Sequence, residues 1–175
     1  MNNGKYLSIL DEIKKHGGKT NTSNPNEKVL IIDGLNTFIR VFSVIPTTND
    51  DGIHIGGIVG FLKSVGYAIK MLAPTRTIIT FDGKGGSNRR RKLYPEYKAK
   101  RRTGKIRLNR VNDFENIEDE RHSMMMQLSR CVEYLEKLPL SIMSIDGIEA
   151  DDAIGYAAKQ LLPNSKVTIM STDKD

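Results

Sequence analysis

Residues 29–34 read VLIIDG, four branched aliphatic residues followed at once by an aspartate and a glycine. A short apolar run closed by a turn signal is typical of a strand buried on both faces of a parallel sheet. Residues 76–83, RTIITFDG, repeat the arrangement. Both stretches therefore predict buried strands, and the carboxyl end of each strand delivers a carboxylate, Asp33 from the first and Asp82 from the second.

Outward from these two strands, strand-like and helix-like segments alternate along the chain. The predicted strands are Val29–Ile32, Arg76–Phe81, Leu140–Ile145 and Val167–Met170. Apolar residues three and four positions apart predict a helix through Phe38, Ile39 and Phe42, and further helices over Ile55–Leu72, Met124–Leu138 and Ala150–Leu162. This alternation predicts an α/β fold with a mostly parallel central sheet.

The length of 175 residues suits one domain with a single sizeable core. Residues 1–28 end in the polar stretch NTSNPNEK and are interpreted as an N-terminal extension or linker, which leaves residues 29–175 as the domain. No run approaches the roughly 18 apolar residues of a membrane span. The N-terminus also lacks the apolar region of a secretory signal, and a lone cysteine cannot form an internal disulfide. We therefore expect a cytoplasmic protein without a membrane partner.

Positive charge is concentrated in one segment of the chain. Between Lys84 and Arg110 there are twelve Lys or Arg residues and one acid, Glu96, whereas the whole chain carries a net charge of +6. A basic segment on an otherwise acidic body favours the phosphate backbone of a nucleic acid as partner. Tyr94 and Tyr97 lie within this segment and offer faces for unpaired bases. A solvated basic loop is the alternative interpretation.

Acidic residues follow every predicted strand. They are Asp33, Asp82, Asp146, Glu149, Asp151, Asp152, Asp173 and Asp175. In an open parallel sheet the carboxyl ends of the strands meet at one edge, where functional groups gather. So many like charges require cations, and oxygen ligands without nearby His or Cys favour Mg²⁺ or Mn²⁺.

Each acidic stretch also has a purely structural interpretation. Asp-Gly after a strand is a common turn, and this applies to Asp33 and Asp82. The spacing of Asp146 and Glu149 is that of a helix capping box. The segment from Asp173 to Asp175 lies at the end of the sequence and fits a solvated polar tail.

Several carboxylates beside a basic, tyrosine-containing segment suit phosphodiester hydrolysis. Two Mg²⁺ ions about 4 Å apart can activate a water molecule and stabilise the leaving oxygen, while basic side chains hold the phosphate. The residues alone therefore indicate a metal-dependent nuclease.

The chain resembles the 5′-nuclease family of polymerase-associated 5′-3′ exonucleases, phage 5′-nucleases with phage ribonuclease H, and flap endonucleases. The resemblance rests on four stretches in the family order: LIIDGLNTFIR, TFDGKGGSNRRRKLYPEYKAKR, GIEADDAIGYAAKQL and STDKD. It implies a PIN-like α/β nuclease domain with a helical arch inserted at about residues 84–122.

The resemblance also implies roles for individual residues. Two Mg²⁺ ions are expected, with Mn²⁺ able to substitute. The first ion is expected at Asp33, Asp82, Glu149 and Asp151, and the second at Asp152, Asp173 and Asp175. Lys98 and Arg101 match the cations that steer the scissile phosphate, and Tyr97 matches a residue that stacks on a nearby base. Arg89 matches an arginine just after the strand. The nucleic-acid-binding set is completed by Arg90, Tyr94 and Arg102.

The implied reaction removes nucleotides or short oligonucleotides from 5′ ends, flaps or RNA primers during DNA replication and repair, in a bacterium or a phage-infected host. Members of the family continue past the DKD stretch with a duplex-binding element and a further metal-ligating aspartate. The second metal site is therefore expected to need a C-terminal half, and a single-stranded DNA-binding protein is a second expected partner. The alternative hypothesis is a catalytically silent or split nucleic-acid-binding module that depends on that half.

Overall fold

The computed structural model describes residues 24–97 and 107–172. Its strands are β1 Lys28–Asp33, β2 Arg76–Asp82, β3 Ser141–Ile145 and β4 Lys166–Met170. Its helices are α1 Gly34–Val44, α2 Gly56–Leu72, α3 Asn88–Leu93, α4 Ile117–Leu135 and α5 Ala150–Tyr156, and α5 continues into a π-helical turn at Ala157–Leu161. None of these helices is long and apolar enough to cross a membrane.

The described strands form one parallel sheet in the order β3-β2-β1-β4, which confirms the predicted fold class. β1 lies between β2 and β4, with Ile32 opposite Ile79 on one side and Met170 on the other. The chain adds β2 and β3 on one side of β1 and then crosses to the other side for β4. Open α/β sheets bind ligands outside the carboxyl ends of the strands at such a reversal.

Strand β1 is buried on both faces because its side chains alternate between two cores. Leu30 and Ile32 face a core that receives α1, α2 and α4, whereas Val29 and Ile31 face a smaller core that receives α5. Asp33 continues the alternation of Val29 and Ile31, so its side chain lies on the α5 face of the sheet. β1 therefore directs a carboxylate toward the start of α5.

Helix α4 begins well before the predicted start at Met124 and ends before the predicted end at Leu138. The side chain of Asn116 accepts hydrogen bonds from the backbone N–H groups of Glu118 and Asp119 and caps the helix. Acidic residues in a first turn also meet the positive end of the helix dipole. The acidic stretch before Met124 is therefore the start of the helix rather than a loop.

The predicted helix Ala150–Leu162 is α-helical only as far as Tyr156. The turn that follows is wider, since the Leu162 N–H donates to the Ala157 carbonyl. Ala157 and Leu162 both pack in the smaller core. The wider turn thus keeps both ends of the segment against the sheet.

The basic segment contains helix α3 near its start, a helix that the sequence pattern did not predict. All three basic residues of its last turn meet the negative end of the helix dipole. The chain is described again from Arg107, where Glu120 Oε1 accepts hydrogen bonds from the N–H groups of Leu108 (2.6 Å) and Asn109 (3.0 Å). The side chain of Asn109 also donates to the Phe42 carbonyl (2.5 Å). The returning part of the predicted arch is thereby fixed to α1 and α4.

Candidate active site

The carboxyl edge of the sheet gathers the predicted acids that lie in the described part of the chain. Asp33 and Asp82 are the last residues of β1 and β2. Glu149 precedes α5, and Asp151 and Asp152 occupy its first turn. Asp82 Oδ1 accepts a hydrogen bond from the Ala150 N–H (2.8 Å), which holds the start of α5 against the end of β2.

Asp33 is a buried carboxylate with a structural partner on each oxygen. It is 5% exposed, its Oδ1 accepts from the Asn36 N–H (3.0 Å), and its Oδ2 accepts from the Ser171 hydroxyl (3.4 Å). Burial raises the pKa of Asp33, the Asn36 N–H opposes the rise, and the nearby charges of Asp151 and Asp82 add to it. The acids at this edge therefore repel one another, and a bound cation would relieve the repulsion.

We expect Asp33→Asn to stabilise the metal-free protein at neutral pH, with a melting temperature about 2 °C higher. The amide removes a buried negative charge and can still accept from the Asn36 N–H. Because the folded-state pKa of Asp33 is raised, this carboxylate costs stability as the pH rises through that pKa. The advantage of the variant should therefore shrink as the pH falls and Asp33 itself becomes protonated.

Thermal unfolding in EDTA over a series of pH values measures this difference. Asp50→Asn is the matched control, since Asp50 is exposed and lies outside the acidic edge. A variant less stable than the wild type at every pH would contradict the expectation.

Thr80 lies between the two strand-end aspartates. It pairs with Asp33 across the sheet, and it precedes Asp82 by two residues on the same face of β2. Its hydroxyl is fully buried and has no hydrogen-bond partner among the described residues. A buried hydroxyl without a partner is unfavourable. This hydroxyl lies near the sheet edge where the sequence predicts oxygen ligands for a divalent cation.

Within the described ranges, no three His, Cys, Asp or Glu side chains stand together in an arrangement that could hold one metal ion. Instead, Glu149 and Asp152 contact other side chains of the protein. Glu149, 2% exposed, forms an ion pair with Arg90 and accepts a hydrogen bond from the Tyr97 hydroxyl (2.8 Å). The other arm of Arg90 contacts Asp152 Oδ1 at 2.6 Å. The basic segment is thus joined directly to α5.

Arg90, and not Arg89, is the arginine that reaches the acids. Arg89 is exposed on α3. Residues 89–92 are four consecutive basic residues, and the sequence does not show which of them reaches the acids. The answer depends on which face of the short helix α3 meets α5.

Asp146 and Glu149 do not form the capping box that their spacing suggested. Helix α5 has no side-chain cap, and Asp146 instead accepts from the Lys84 N–H (3.2 Å). Glu149 instead pairs with Arg90 and accepts a hydrogen bond from Tyr97.

The remaining predicted site residues fall into two groups. Tyr94 is exposed, and its hydroxyl donates to Glu96 (2.9 Å) rather than to α5. Five of the predicted residues lie outside the described ranges: Lys98, Arg101, Arg102, Asp173 and Asp175.

Asn36 is a site contact that sequence reasoning missed. Its Oδ1 accepts from the Thr172 N–H (3.1 Å) and from the Thr172 hydroxyl. This contact ties the residue before Asp173 to the first turn of α1, next to Asp33. No local pattern predicts it, because the partners lie far apart in the sequence.

Sequence comparison finds bacterial relatives of this chain. DNA polymerase I of Borreliella burgdorferi is 31% identical over 153 residues, which cover 85% of this chain and 15% of the polymerase. The 5′-3′ exonuclease of Bacillus subtilis is 26% identical over 155 residues, which cover 86% of this chain and 47% of that protein. The chain therefore spans about half the length of that exonuclease and a much smaller part of the polymerase.

The fold is also found among solved structures. The flap endonuclease of bacteriophage T5, in a complex with DNA and metal ions, superposes with a TM-score of 0.65 at 23% identity, over 85% of this chain and 50% of that one. This likeness confirms the predicted PIN-like fold. Residues 28–175 match the family described as 5′-3′ exonuclease, N-terminal resolvase-like domain. The chain therefore belongs to the 5′-3′ exonuclease family and carries its N-terminal domain.

Proposed function

We propose that this chain is the catalytic domain of a divalent-metal-dependent 5′-nuclease that cleaves phosphodiester bonds at 5′ ends and flaps of DNA. The observation that carries the proposal is the placement of Asp33 and Asp82 at the ends of β1 and β2, beside the first turn of α5 that carries Asp151. Family membership supports it, because relatives are named 5′-3′ exonuclease and DNA polymerase I. The basic segment beside the acids fits a polyanionic substrate.

In this proposal the described acids hold the first metal ion and part of a second. The first set is Asp33, Asp82, Glu149 and Asp151, and the second begins with Asp152 and is completed by Asp173 and Asp175. Bound Mg²⁺ would lower the pKa of a water molecule and neutralise charge on the phosphate. The phage T5 flap endonuclease, whose structure contains both DNA and metal ions, supports this choice of cofactor and substrate.

The chain's own residues orient the acids. The Asn36 N–H and the Ser171 hydroxyl fix the two oxygens of Asp33, and the Ala150 N–H fixes one oxygen of Asp82. These contacts prevent the carboxylates from rotating and keep them on the α5 face. Such preorganisation lowers the cost of assembling charge at the reacting phosphate.

The basic segment would guide a single strand past these acids. Tyr97 already contacts Glu149, so a base stacked on its ring would lie beside the acidic edge. Lys98 and Arg101 follow directly in the sequence and would stabilise charge on the phosphate, while Arg89, Arg90, Tyr94 and Arg102 would hold the strand. An RNA primer on DNA is a further substrate in this proposal.

Partners and boundaries are part of the same proposal. Because the chain spans about half of its exonuclease relatives, a C-terminal half would supply duplex grip and remaining metal ligands. A single-stranded DNA-binding protein would present the 5′ strand. Residues 1–28 would lie outside the nuclease domain, except for Lys28, at which both β1 and the family match begin. A DNA substrate would place the activity in the bacterial or infected-host cytoplasm.

A 5′-labelled flap duplex tests the proposal directly. We expect short 5′ fragments in Mg²⁺ and none in EDTA, with products separated by length. Complete absence of cleavage together with a gel shift would contradict the proposal for this chain and favour a silent nucleic-acid-binding module. The slope of log K against the logarithm of salt concentration, about −0.9 for each phosphate neutralised on duplex DNA, would count the phosphates held.

A further inference from the structure

Arg90 is an arginine of the basic segment that lies against two predicted metal ligands. One arm of its guanidinium pairs with Glu149 and the other contacts Asp152 Oδ1 at 2.6 Å. The Glu149 side chain is 2% exposed, whereas that of Arg90 is 35% exposed. A buried carboxylate is strongly unfavourable unless a cation accompanies it. Arg90 supplies that cation from within the chain.

Tyr97 completes the contact from the same segment. Its hydroxyl accepts from Arg90 (3.0 Å) and donates to Glu149 (2.8 Å). The Arg90 guanidinium also lies over the Tyr97 ring, 5.6 Å from its centroid, in a cation–π contact. The three side chains form one connected set that fastens the basic segment to the start of α5.

This arrangement explains why, within the described ranges, the carboxylates at the end of the sheet do not form a group that could hold one metal ion. Glu149 and Asp152 contact Arg90 on α3, whereas Asp33 and Asp82 accept hydrogen bonds from α1, from α5 and from Ser171 just after β4. Two carboxylates of the proposed metal site are thus already paired with a protein cation. A divalent cation that uses them must compete with the guanidinium.

We propose that Arg90 is an internal counter-cation of the metal site, displaced from Glu149 and Asp152 when a divalent cation binds and then free to pair with a phosphate of the nucleic acid. This inference rests on the proposed function and adds a coupling to it. Guanidinium pairs well with both carboxylate and phosphate, in each case through two parallel hydrogen bonds. Metal binding would therefore strengthen the grip on the strand, and a bound strand would strengthen metal binding by the same factor.

Metal affinity in the absence of DNA gives the first test. We expect Arg90→Gln to bind Mg²⁺ about tenfold more tightly than the wild type by calorimetry, since the competing cation is gone. The same variant should melt at a lower temperature in EDTA, because the buried charge of Glu149 loses its accompanying guanidinium. It should also gain more than the wild type from saturating Mg²⁺. Lys92→Gln is the matched control: it removes one positive charge from the same helix at an exposed residue and should change both quantities far less than Arg90→Gln does.

Arg90→Lys keeps the inference testable if Arg90→Gln fails to fold. A lysine keeps the charge but cannot bridge two carboxylates, so its Mg²⁺ affinity should lie between those of the wild type and a variant without the charge. An affinity for Mg²⁺ at or below the wild-type value in the folded Arg90 variants would overturn the inference.

Binding of a single-stranded 5′ oligonucleotide gives the second test, with Ca²⁺ replacing Mg²⁺ to limit cleavage. The wild type and Lys92→Gln should bind the strand more tightly in Ca²⁺ than in EDTA, and Arg90→Gln should lose most of that gain. An equal gain in all three proteins would overturn the coupling. If the wild type binds no divalent cation, the proposed function fails as well. If the wild type shows metal-dependent cleavage but the Arg90 variants bind the divalent cation as the wild type does, only this inference is rejected.

Discussion

Asp151→Asn is expected to reduce flap cleavage by more than about 100-fold while leaving the affinity for the flap substrate within about twofold. Asp151 is a proposed direct metal ligand, and removal of such a ligand should cost more than the 10–100-fold typical of outer contacts. Asp151 lies in the first turn of α5, where its charge acts on Asp33. It is not part of the basic segment that would hold phosphates, so the grip on DNA should persist.

Cleavage rates in Mg²⁺ and gel shifts in EDTA, measured on the same protein preparation, report the cleavage activity and the DNA affinity separately. Asp50→Asn removes the same charge from an exposed residue away from the acidic edge and should leave both unchanged. Loss of binding in proportion to the loss of cleavage would mean that Asp151 acts on DNA or on folding rather than on metal.

Gly83→Ala is expected to lower the free energy of unfolding by about 3 kcal/mol and the melting temperature by about 10 °C. A Cβ at this position would lie 1.7 Å from the Ile145 carbonyl oxygen and 2.3 Å from its carbon. Backbone atoms cannot move aside as a flexible side chain can. The Gly83 N–H also donates to the Ile148 carbonyl (3.0 Å), next to Glu149, so the displaced loop should carry Glu149 with it and impair cleavage.

Gly66→Ala is the matched control for this substitution. Gly66 lies inside α2, and no atom outside its own helix would come within 4 Å of an added Cβ. Alanine should therefore raise the free energy of unfolding by about 0.5–1 kcal/mol through its better helix propensity. Thermal or urea unfolding of both variants measures the contrast, and a change of the same sign in both would contradict the close approach at Gly83.

The strands and the parallel sheet could be predicted because their signals are local and strong. The run VLII is apolar on both faces, and β1 is indeed buried by a different core on each face. Helix ends were harder to predict, since they depend on single caps. The start of α4 depends on the Asn116 side chain, and α3 lies in a charge run without apolar periodicity.

The acids of the candidate site could be predicted because topology alone brings the ends of parallel strands together. Their partners could not. The choice of Arg90 over Arg89 depends on how α3 is oriented toward α5. That the Thr80 hydroxyl has no hydrogen-bond partner among the described residues becomes apparent only once its burial is known. Asn36 meets Thr172 only because β4 returns beside β1. These are contacts between distant parts of the chain, to which a single sequence gives no local clue.

The position of β4 beside β1 also limits how early the sheet can form during translation. Lys28 pairs with Lys166, so β1 has one unsatisfied edge until nearly the whole domain has been translated. At about 5–20 residues per second, a ribosome needs on the order of ten seconds to supply the missing strand. During that interval one edge of β1 has no strand to pair with, and an unpaired edge is prone to pair with another chain. Because Ser171 follows β4, its hydrogen bond to Asp33 in the proposed site also cannot form before β4 has been translated.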